Sequence, residues 1–402
     1  MARARLLIVG NGMTGLRFLE ELLERAPDQF AITVVGAEPQ VAYNRVLLSS
    51  LLAAEIGAGE LTLRPRDWYA AHGVELLTGT RVRSLDVTRR NVILCNGARR
   101  PFDKLLLATG SEPVRLAIPG ADLPGVASFR SLADVAQLER AIAAARPAVV
   151  IGGGLLGIEA ACGLARRGLA VTLVHLADRL MERQLDEEGG ALLAAALAAT
   201  GVRVLLRAQT RAIRGASRVE AVELADGKLL PCALAVLAVG IRPSVAFANE
   251  PRLQLGRGFI VDAGMRTSVA DVFAVGECAE HRGICCGLLE PCYQQAKVAA
   301  GVLAGEPRQF VSAAPACSLK VSGIGVFSVG DCLGHGADSI LLRDASTASY
   351  RKLVMREGRL AGAVLVGDTS DASWYADLIH SGRPVAALRD ALAFGQAFAE
   401  AA

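Results

Sequence analysis

Two glycine clusters of one design, 142 residues apart, constrain this chain more than anything else in it. Gly10-Asn11-Gly12-Met13-Thr14-Gly15 follows the apolar run Leu6-Leu7-Ile8-Val9, and Gly152-Gly153-Gly154-Leu155-Leu156-Gly157 follows Ala148-Val149-Val150-Ile151. Each reads as a buried strand turning into a helix. The glycines permit a tight turn, close approach of backbone to a pyrophosphate, and close helix–strand packing. Two such clusters imply two bound dinucleotides. Two dinucleotides in one protein suggest redox chemistry, with electrons passing between them.

Composition narrows the field. The 402 residues are 52% hydrophobic, enough for two or three domains with sizeable cores. The net charge of +3, with no basic run, argues against nucleic acid as a partner. The start, Met1 to Val9, resembles a signal peptide, but its apolar run ends at Gly10, which opens the first cluster. Apolar runs stay short of the roughly 18 residues of a membrane span. The longest, Leu229 to Ile241, reads as one buried strand. Nine cysteines, irregularly spaced and without a C-x-x-C pair, read as reduced thiols of a cytoplasmic protein. Cys286 and Cys292 match half of a spacing that holds an iron–sulfur cluster beside sirohaem; the other half is missing, so the match reads as chance.

The order of patterns gives an α/β fold with two Rossmann-like domains, one inserted in the other, and a small C-terminal α+β domain. Residues 1–114 and 240–308 form the first domain, 115–239 the inserted one, and 309–402 the third. A long helix is expected near Asp186 to Thr200. In the third domain, Arg356-Glu357-Gly358-Arg359 lies between two apolar runs and predicts a hairpin.

In the first fingerprint, Gly10, Gly12, Met13, Thr14 and Gly15 present a helix N-terminus to a pyrophosphate. A carboxylate about 20 residues on is needed for a ribose, and Glu38 is the candidate. Ala108-Thr109-Gly110 ends a buried strand. Gly276-Glu277 ends another, where an acid can accept hydrogen bonds from a ribityl hydroxyl of FAD.

These motifs, in this order, resemble the FAD-dependent pyridine nucleotide oxidoreductases across residues 1–308. A narrower resemblance rests on Ala42-Tyr43-Asn44-Arg45-Val46-Leu47-Leu48-Ser49, His175-Leu176, Leu180-Met181-Glu182-Arg183-Gln184-Leu185-Asp186, Gly276-Glu277-Cys278 and Val364 to Thr369. It is to the FAD/NAD half of assimilatory NAD(P)H nitrite reductase large subunits and to nitrate reductase electron-transfer subunits. Those large subunits continue into a [2Fe–2S] module and a sirohaem domain, and neither is present in these 402 residues. The resemblance therefore implies the electron-input half, with the metal centre on a partner protein.

It also implies roles. Arg45 would lie beside the FAD pyrophosphate, where guanidinium suits phosphate. Related ferredoxin and rubredoxin reductases carry a lysine where Ser50 stands, so a lysine contact to flavin is not expected. Pro291, Cys292 and Tyr293 would open a helix whose positive end faces the flavin. The second fingerprint, through Gly152, Gly154, Leu155, Leu156 and Gly157, with Gly240 at a nearby turn, would take NADH or NADPH. Glu159 would lie near the nicotinamide carboxamide; as a plain helix residue it would be an exposed first-turn acid. His175 and Arg179 stand where the adenosine 2′ group is read, and fit neither the acidic NAD pattern nor the arginine NADP pattern cleanly.

The expected activity is FAD-dependent NAD(P)H oxidation. Its acceptor is a sirohaem, iron–sulfur or molybdenum reductase subunit, or alternatively ferredoxin or rubredoxin in a general reductase. A non-catalytic flavin-binding sensor or interaction protein is the reading of another class. The third domain is expected at a docking face or a homodimer interface.

Overall fold

A computed structural model describes residues 3–143, 147–248, 250–312, 316–321 and 323–401. They divide into two compact units, each assembled from three chain segments. One comprises 1–47, 57–112 and 241–312; the other comprises 48–56, 113–240 and 313–402.

The first unit is built on β1 (Ala4–Val9), α1 (Met13–Arg25) and β2 (Phe30–Val35). Leu6 to Val9 are buried on both faces, as expected of a central parallel strand. The sheet order is Val272–Ala274, Lys104–Leu107, β1, β2, Glu75–Leu77, all parallel. Along α1, Leu16, Leu19, Leu22 and Leu23 recur at helical spacing and are buried with Phe18. Each contributes roughly 1.5–3 kcal/mol by leaving water, so tertiary burial rather than propensity holds this helix. Arg25 in its last turn suits the negative end of the dipole.

The second unit repeats the scheme with β3 (Ala148–Ile151), α2 (Leu155–Arg166) and β4 (Val171–Val174). Its sheet runs Arg203–Leu205, β4, β3, Leu234–Leu237, Val126–Ser128, again parallel. The helix expected near Asp186 to Thr200 is α3 (Glu187–Ala199). The run from Leu229 to Ile241 is not one strand. It is divided among Leu229–Pro231, Leu234–Leu237 and Ile241–Pro243. Leu229–Pro231 closes an antiparallel hairpin with Ala221–Leu224 across the turn at Asp226-Gly227, and only Leu234–Leu237 enters the parallel sheet.

The C-terminal part of the same unit is a five-stranded antiparallel sheet with a helix, Ala372–Ser381, on its inner face. Strands β5 (Ser349–Arg356) and β6 (Arg359–Gly367) form the expected hairpin. Its two turn residues, Glu357 and Gly358, both have positive φ, the backbone of the tight turn that matches strand twist.

Asp186 joins this sheet to the Rossmann-like part. It caps α3 by accepting from the Gly189 amide at 3.1 Å, and it also accepts from the Tyr350 hydroxyl at 2.7 Å and Lys352 Nζ at 3.1 Å. Burial opposes its ionisation, but these donors outweigh burial and hold the carboxyl below its ordinary range. Its stabilising effect is therefore present above the ordinary Asp range and is lost as pH falls. The Asp186→Ala variant should lose about 3 kcal/mol at neutral pH, through the missing cap and the orphaned lysine. In urea melts the deficit should shrink below about pH 4. A deficit that is constant with pH would contradict this account.

Among the described residues, no helix is long and apolar enough to cross a membrane.

Candidate functional site: two glycine cradles

The two fingerprints build one geometry twice. Val9 pairs with Leu107, and Ile151 with Leu237, so each glycine loop leaves the sheet beside the end of a neighbouring strand. Gly10 has φ +116°, and a Cβ there would lie 2.0 Å from the Ala108 carbonyl oxygen. Gly152 has φ +119°, and its Cβ would lie 2.2 Å from the Ala238 oxygen. These glycines exist because backbone crosses backbone. Gly15 and Gly157 are closed in the same way by the carbonyls of Gly10 and Gly152.

Gly12 and Gly154 are the opposite case. A Cβ at either would meet nothing within 4 Å. Each is the N-cap of its helix, with no side-chain cap and no acid in the first turn. The helix N–H groups therefore face open space with a positive dipole end behind them, which suits an anion. Asn11 strengthens this in the first cradle. Its Oδ1 accepts from the Tyr69 hydroxyl at 3.0 Å, while its buried Nδ2 finds no acceptor among the described residues. Donors without acceptors at both cradles fit dinucleotide pyrophosphates.

Around the first cradle the structure gathers most of the predicted residues. Glu38 accepts from Tyr43 Oη at 2.7 Å and pairs with Arg45. Arg45 also lies 4.9 Å above the Tyr43 ring, and its backbone N–H points to Met13 Sδ at 3.3 Å. Burial opposes the Arg45 charge, but Glu38, Tyr43 and Glu277 together hold its guanidinium above its ordinary value. Thr14 packs on Gly276, whose φ is +83° and whose Cβ would lie 3.1 Å from the threonine side chain. Thr109 Oγ1 donates to the Ser244 carbonyl at 2.7 Å, and Gly110 turns at φ +67° beside Glu277. Ser111 Oγ donates to Glu277 at 2.9 Å, which orients that carboxylate.

The helix expected from Pro291 starts two residues earlier, at Leu289, and has no side-chain cap. Cys292 is buried and directs its thiol to the Cys286 carbonyl at 3.8 Å. Tyr293 lies under Arg17 at 5.9 Å. Gln295, fully buried, accepts from the Gly276 amide at 2.8 Å and so ties this helix to the Gly276–Glu277 turn. Asn11, Tyr69, Ser111 and Gln295 were not singled out in the sequence. Only Asn11, inside the fingerprint, carried a signal that would have found it.

Around the second cradle, Leu155 and Leu156 open α2, and Glu159 falls in its second turn rather than its first. It is partly buried, not exposed. Burial pushes its carboxyl up to about 7, and its charge acts on the buried Cys317 thiol. Because the fold disfavours its ionised form, stability is lost as pH rises from about 4.5 through about 7. The Glu159→Gln variant should therefore melt higher than the parent at pH 8 and alongside it at pH 4. Scanning calorimetry at the two pH values checks this, and equal gains at both would refute it.

Gly240 turns at φ +114° with nothing within 4 Å of a Cβ, and its carbonyl accepts from the Val114 amide. His175 Nδ1 accepts from the Gly153 amide at 3.0 Å, and its Nε2 faces Glu182 at 3.0 Å. The Arg179 guanidinium is engaged locally, by Asp178 and by the carbonyls of Glu182 and Leu185. No cluster of three or more potential metal ligands occurs among the described residues.

Residues 4–302 match the pyridine nucleotide-disulphide oxidoreductase family, and residues 315–383 match the rubredoxin NAD+ reductase C-terminal domain. The chain belongs to the pyridine nucleotide-disulphide oxidoreductase family. It is 43% identical to the nitrite reductase [NAD(P)H] of Bacillus subtilis (strain 168), over 93% of this chain and 47% of that protein. It is 39% identical to the assimilatory nitrate reductase electron transfer subunit of the same organism, over 92% of this chain and 48% of that one. The chain thus spans about half the length of the curated relatives it matches. Putidaredoxin reductase, in its covalent complex with putidaredoxin, superposes with a TM-score of 0.87 at 28% identity, covering 96% of this chain and 94% of that one.

Proposed function

We propose that this chain is the electron-input component of assimilatory nitrite or nitrate reduction, taking a hydride from NADH or NADPH and delivering electrons to a separate redox protein. The observation that carries the reading is the duplicated cradle: two open helix N-termini on two parallel sheets. Bound FAD supplies the chemistry that accepts a hydride and releases electrons singly or in pairs.

The roles then follow from the residues. Gly10, Gly12 and Gly15 let the first pyrophosphate approach α1, with Asn11 Nδ2 as a donor. Arg45 exchanges part of its pairing with Glu38 for phosphate, and Glu38 is left to accept from a ribose hydroxyl. Glu277, oriented by Ser111, accepts from the ribityl chain. Gly152, Gly154 and Gly157 do the same for the nicotinamide dinucleotide at α2, and Glu159 orients the carboxamide. No side chain acts as nucleophile or base; positioning does most of the work. With no C-x-x-C pair, and no cysteine before Cys95 in the sequence, electrons leave for an external acceptor rather than an internal disulfide.

A second reading, a general rubredoxin or ferredoxin reductase, is favoured by the C-terminal match at residues 315–383. Anaerobic titration of the FAD-loaded protein with NADH and NADPH, followed by mixing with candidate acceptors, tests both. Bleaching of the flavin is expected. Absence of bleaching by either nucleotide, with FAD bound, refutes the oxidoreductase reading. Faster reoxidation by rubredoxin than by a nitrite or nitrate reductase component selects the second.

A further inference from the structure

We infer that Glu182 is the residue that reads the adenosine ribose and makes this chain select NADH over NADPH; this rests on the nucleotide reading of the second cradle. In dinucleotide-binding sheets an acid at the end of the second strand accepts from the ribose 2′-OH. Here β4 ends at Val174, and the next residue is His175, which cannot do that work as a carboxylate does. The structure supplies the acid from seven residues further on.

The imidazole packs closely against the glycine loop. A Cβ at Gly153 would sit 2.6 Å from His175 Cγ, so the middle glycine makes room for the ring. Gly153 N–H donates to Nδ1 at 3.0 Å, and the Gly153 carbonyl accepts from the Met181 amide at 3.0 Å. The loop is thus held between residues 175 and 181. Because Nδ1 is an acceptor, the neutral ring carries its proton on Nε2, which donates to Glu182 Oε2 at 3.0 Å. The His175 side chain is only 11% exposed, while that of Glu182 is 37% exposed. A buried ring therefore holds a carboxylate that remains open to solvent beside the glycine loop. Next to His175 in the chain, Leu176 is 67% exposed, an apolar surface suited to a purine ring.

The carboxylate held by His175 favours a hydroxyl over a phosphate. Asp178 and Glu182 are both acidic, and the Arg179 guanidinium is engaged by Asp178 and two carbonyls. Arg183 is exposed on the same turn and Arg207 in the segment after the strand Arg203–Leu205, and among the described residues neither side chain is anchored as Glu182 is by His175. A carboxylate fixed by a charge-assisted bond accepts readily from a 2′-OH and repels a 2′-phosphate.

Calorimetry on the FAD-loaded protein with ADP-ribose and its 2′-phosphorylated form tests this without any redox step. The parent should bind ADP-ribose at least about tenfold more tightly, the size of one charge-assisted hydrogen bond. Glu182→Gln should erase that ratio, weakening ADP-ribose about tenfold while strengthening the phosphorylated ligand. Melting curves, with Glu182→Ala as a second variant, control for folding. Three results would overturn the inference: a parent that prefers the phosphorylated ligand, a Glu182→Gln variant that changes both ligands equally or neither, or a preference that moves with Arg207→Ala instead. If neither ligand binds the parent, the nucleotide reading of the cradle fails with it; any unequal or equal binding leaves that reading intact.

Discussion

Replacing Gly154 by alanine should leave a folded, yellow protein that nicotinamide nucleotides no longer reduce. Gly154 has φ −82° and ψ −178°, a conformation alanine adopts without strain, and its Cβ would meet no protein atom within 4 Å. The methyl group instead occupies the open space in front of the α2 N-terminus, where the pyrophosphate would approach. Affinity for NADH should fall on the order of 100-fold, about 2.7 kcal/mol. The flavin, held by the other unit, stays bound and remains reducible by dithionite. Stopped-flow reduction over a range of NADH concentrations would show the loss as a raised apparent dissociation constant. Unchanged reduction would mean that the phosphates are bound elsewhere.

The same substitution at Gly10 should damage the fold itself. There φ is +116°, and the added Cβ lies 2.0 Å from a backbone oxygen that cannot move without displacing the Lys104–Leu107 strand. Backbone strain and overpacking each cost about 1–3 kcal/mol, so about 4 kcal/mol together is expected. That is a large share of the roughly 5–15 kcal/mol of a typical domain. Gly12→Ala, two residues away, is the control, because its Cβ meets nothing within 4 Å. Its product should melt near the parent as apoprotein yet bind little FAD. Calorimetry together with flavin content separates the two variants. A Gly10→Ala protein that melts with the parent would contradict the backbone crossing described above.

What was legible in the sequence was what depends on neighbouring residues. The two glycine turns, their strands and helices, and the Glu357-Gly358 hairpin are local, and each lay where its pattern implied. The run from Leu229 to Ile241 was misleading because hydrophobicity alone does not show where a strand changes sheets. Pro231 interrupts it, and its parts serve a hairpin, a parallel sheet and a separate two-stranded sheet.

Residues joined only by the fold were invisible. Tyr69 reaches Asn11 across 58 positions, and Ser111 reaches Glu277 across 166. Glu182 is a subtler case. The rule sought an acid at the strand end, found His175, and left the acid seven residues on unnoticed, because only the ring lying on Gly153 brings it back. Glu159 was placed in a first turn from the motif alone. The structure starts α2 at Leu155 and partly buries the carboxyl, which is what raises its affinity for protons.

The alternation of the two units along the chain has a consequence for biosynthesis. The strand Lys104–Leu107 acquires its outer neighbour only when Val272–Ala274 is made, and α1 packs on a helix ending at Leu303. A ribosome moving at about 5–20 residues per second leaves the first 107 residues waiting roughly 10–40 s for those partners. Meanwhile an apolar strand edge is bare, the kind of edge that recruits other chains. The strands Val126–Ser128, Ala148–Ile151, Val171–Val174, Arg203–Leu205 and Leu234–Leu237 form a five-stranded sheet that needs nothing translated after residue 237, and it can fold in that interval as an island. Yield in a heterologous host should accordingly depend on translation rate and chaperone supply more than on the stability of the finished protein.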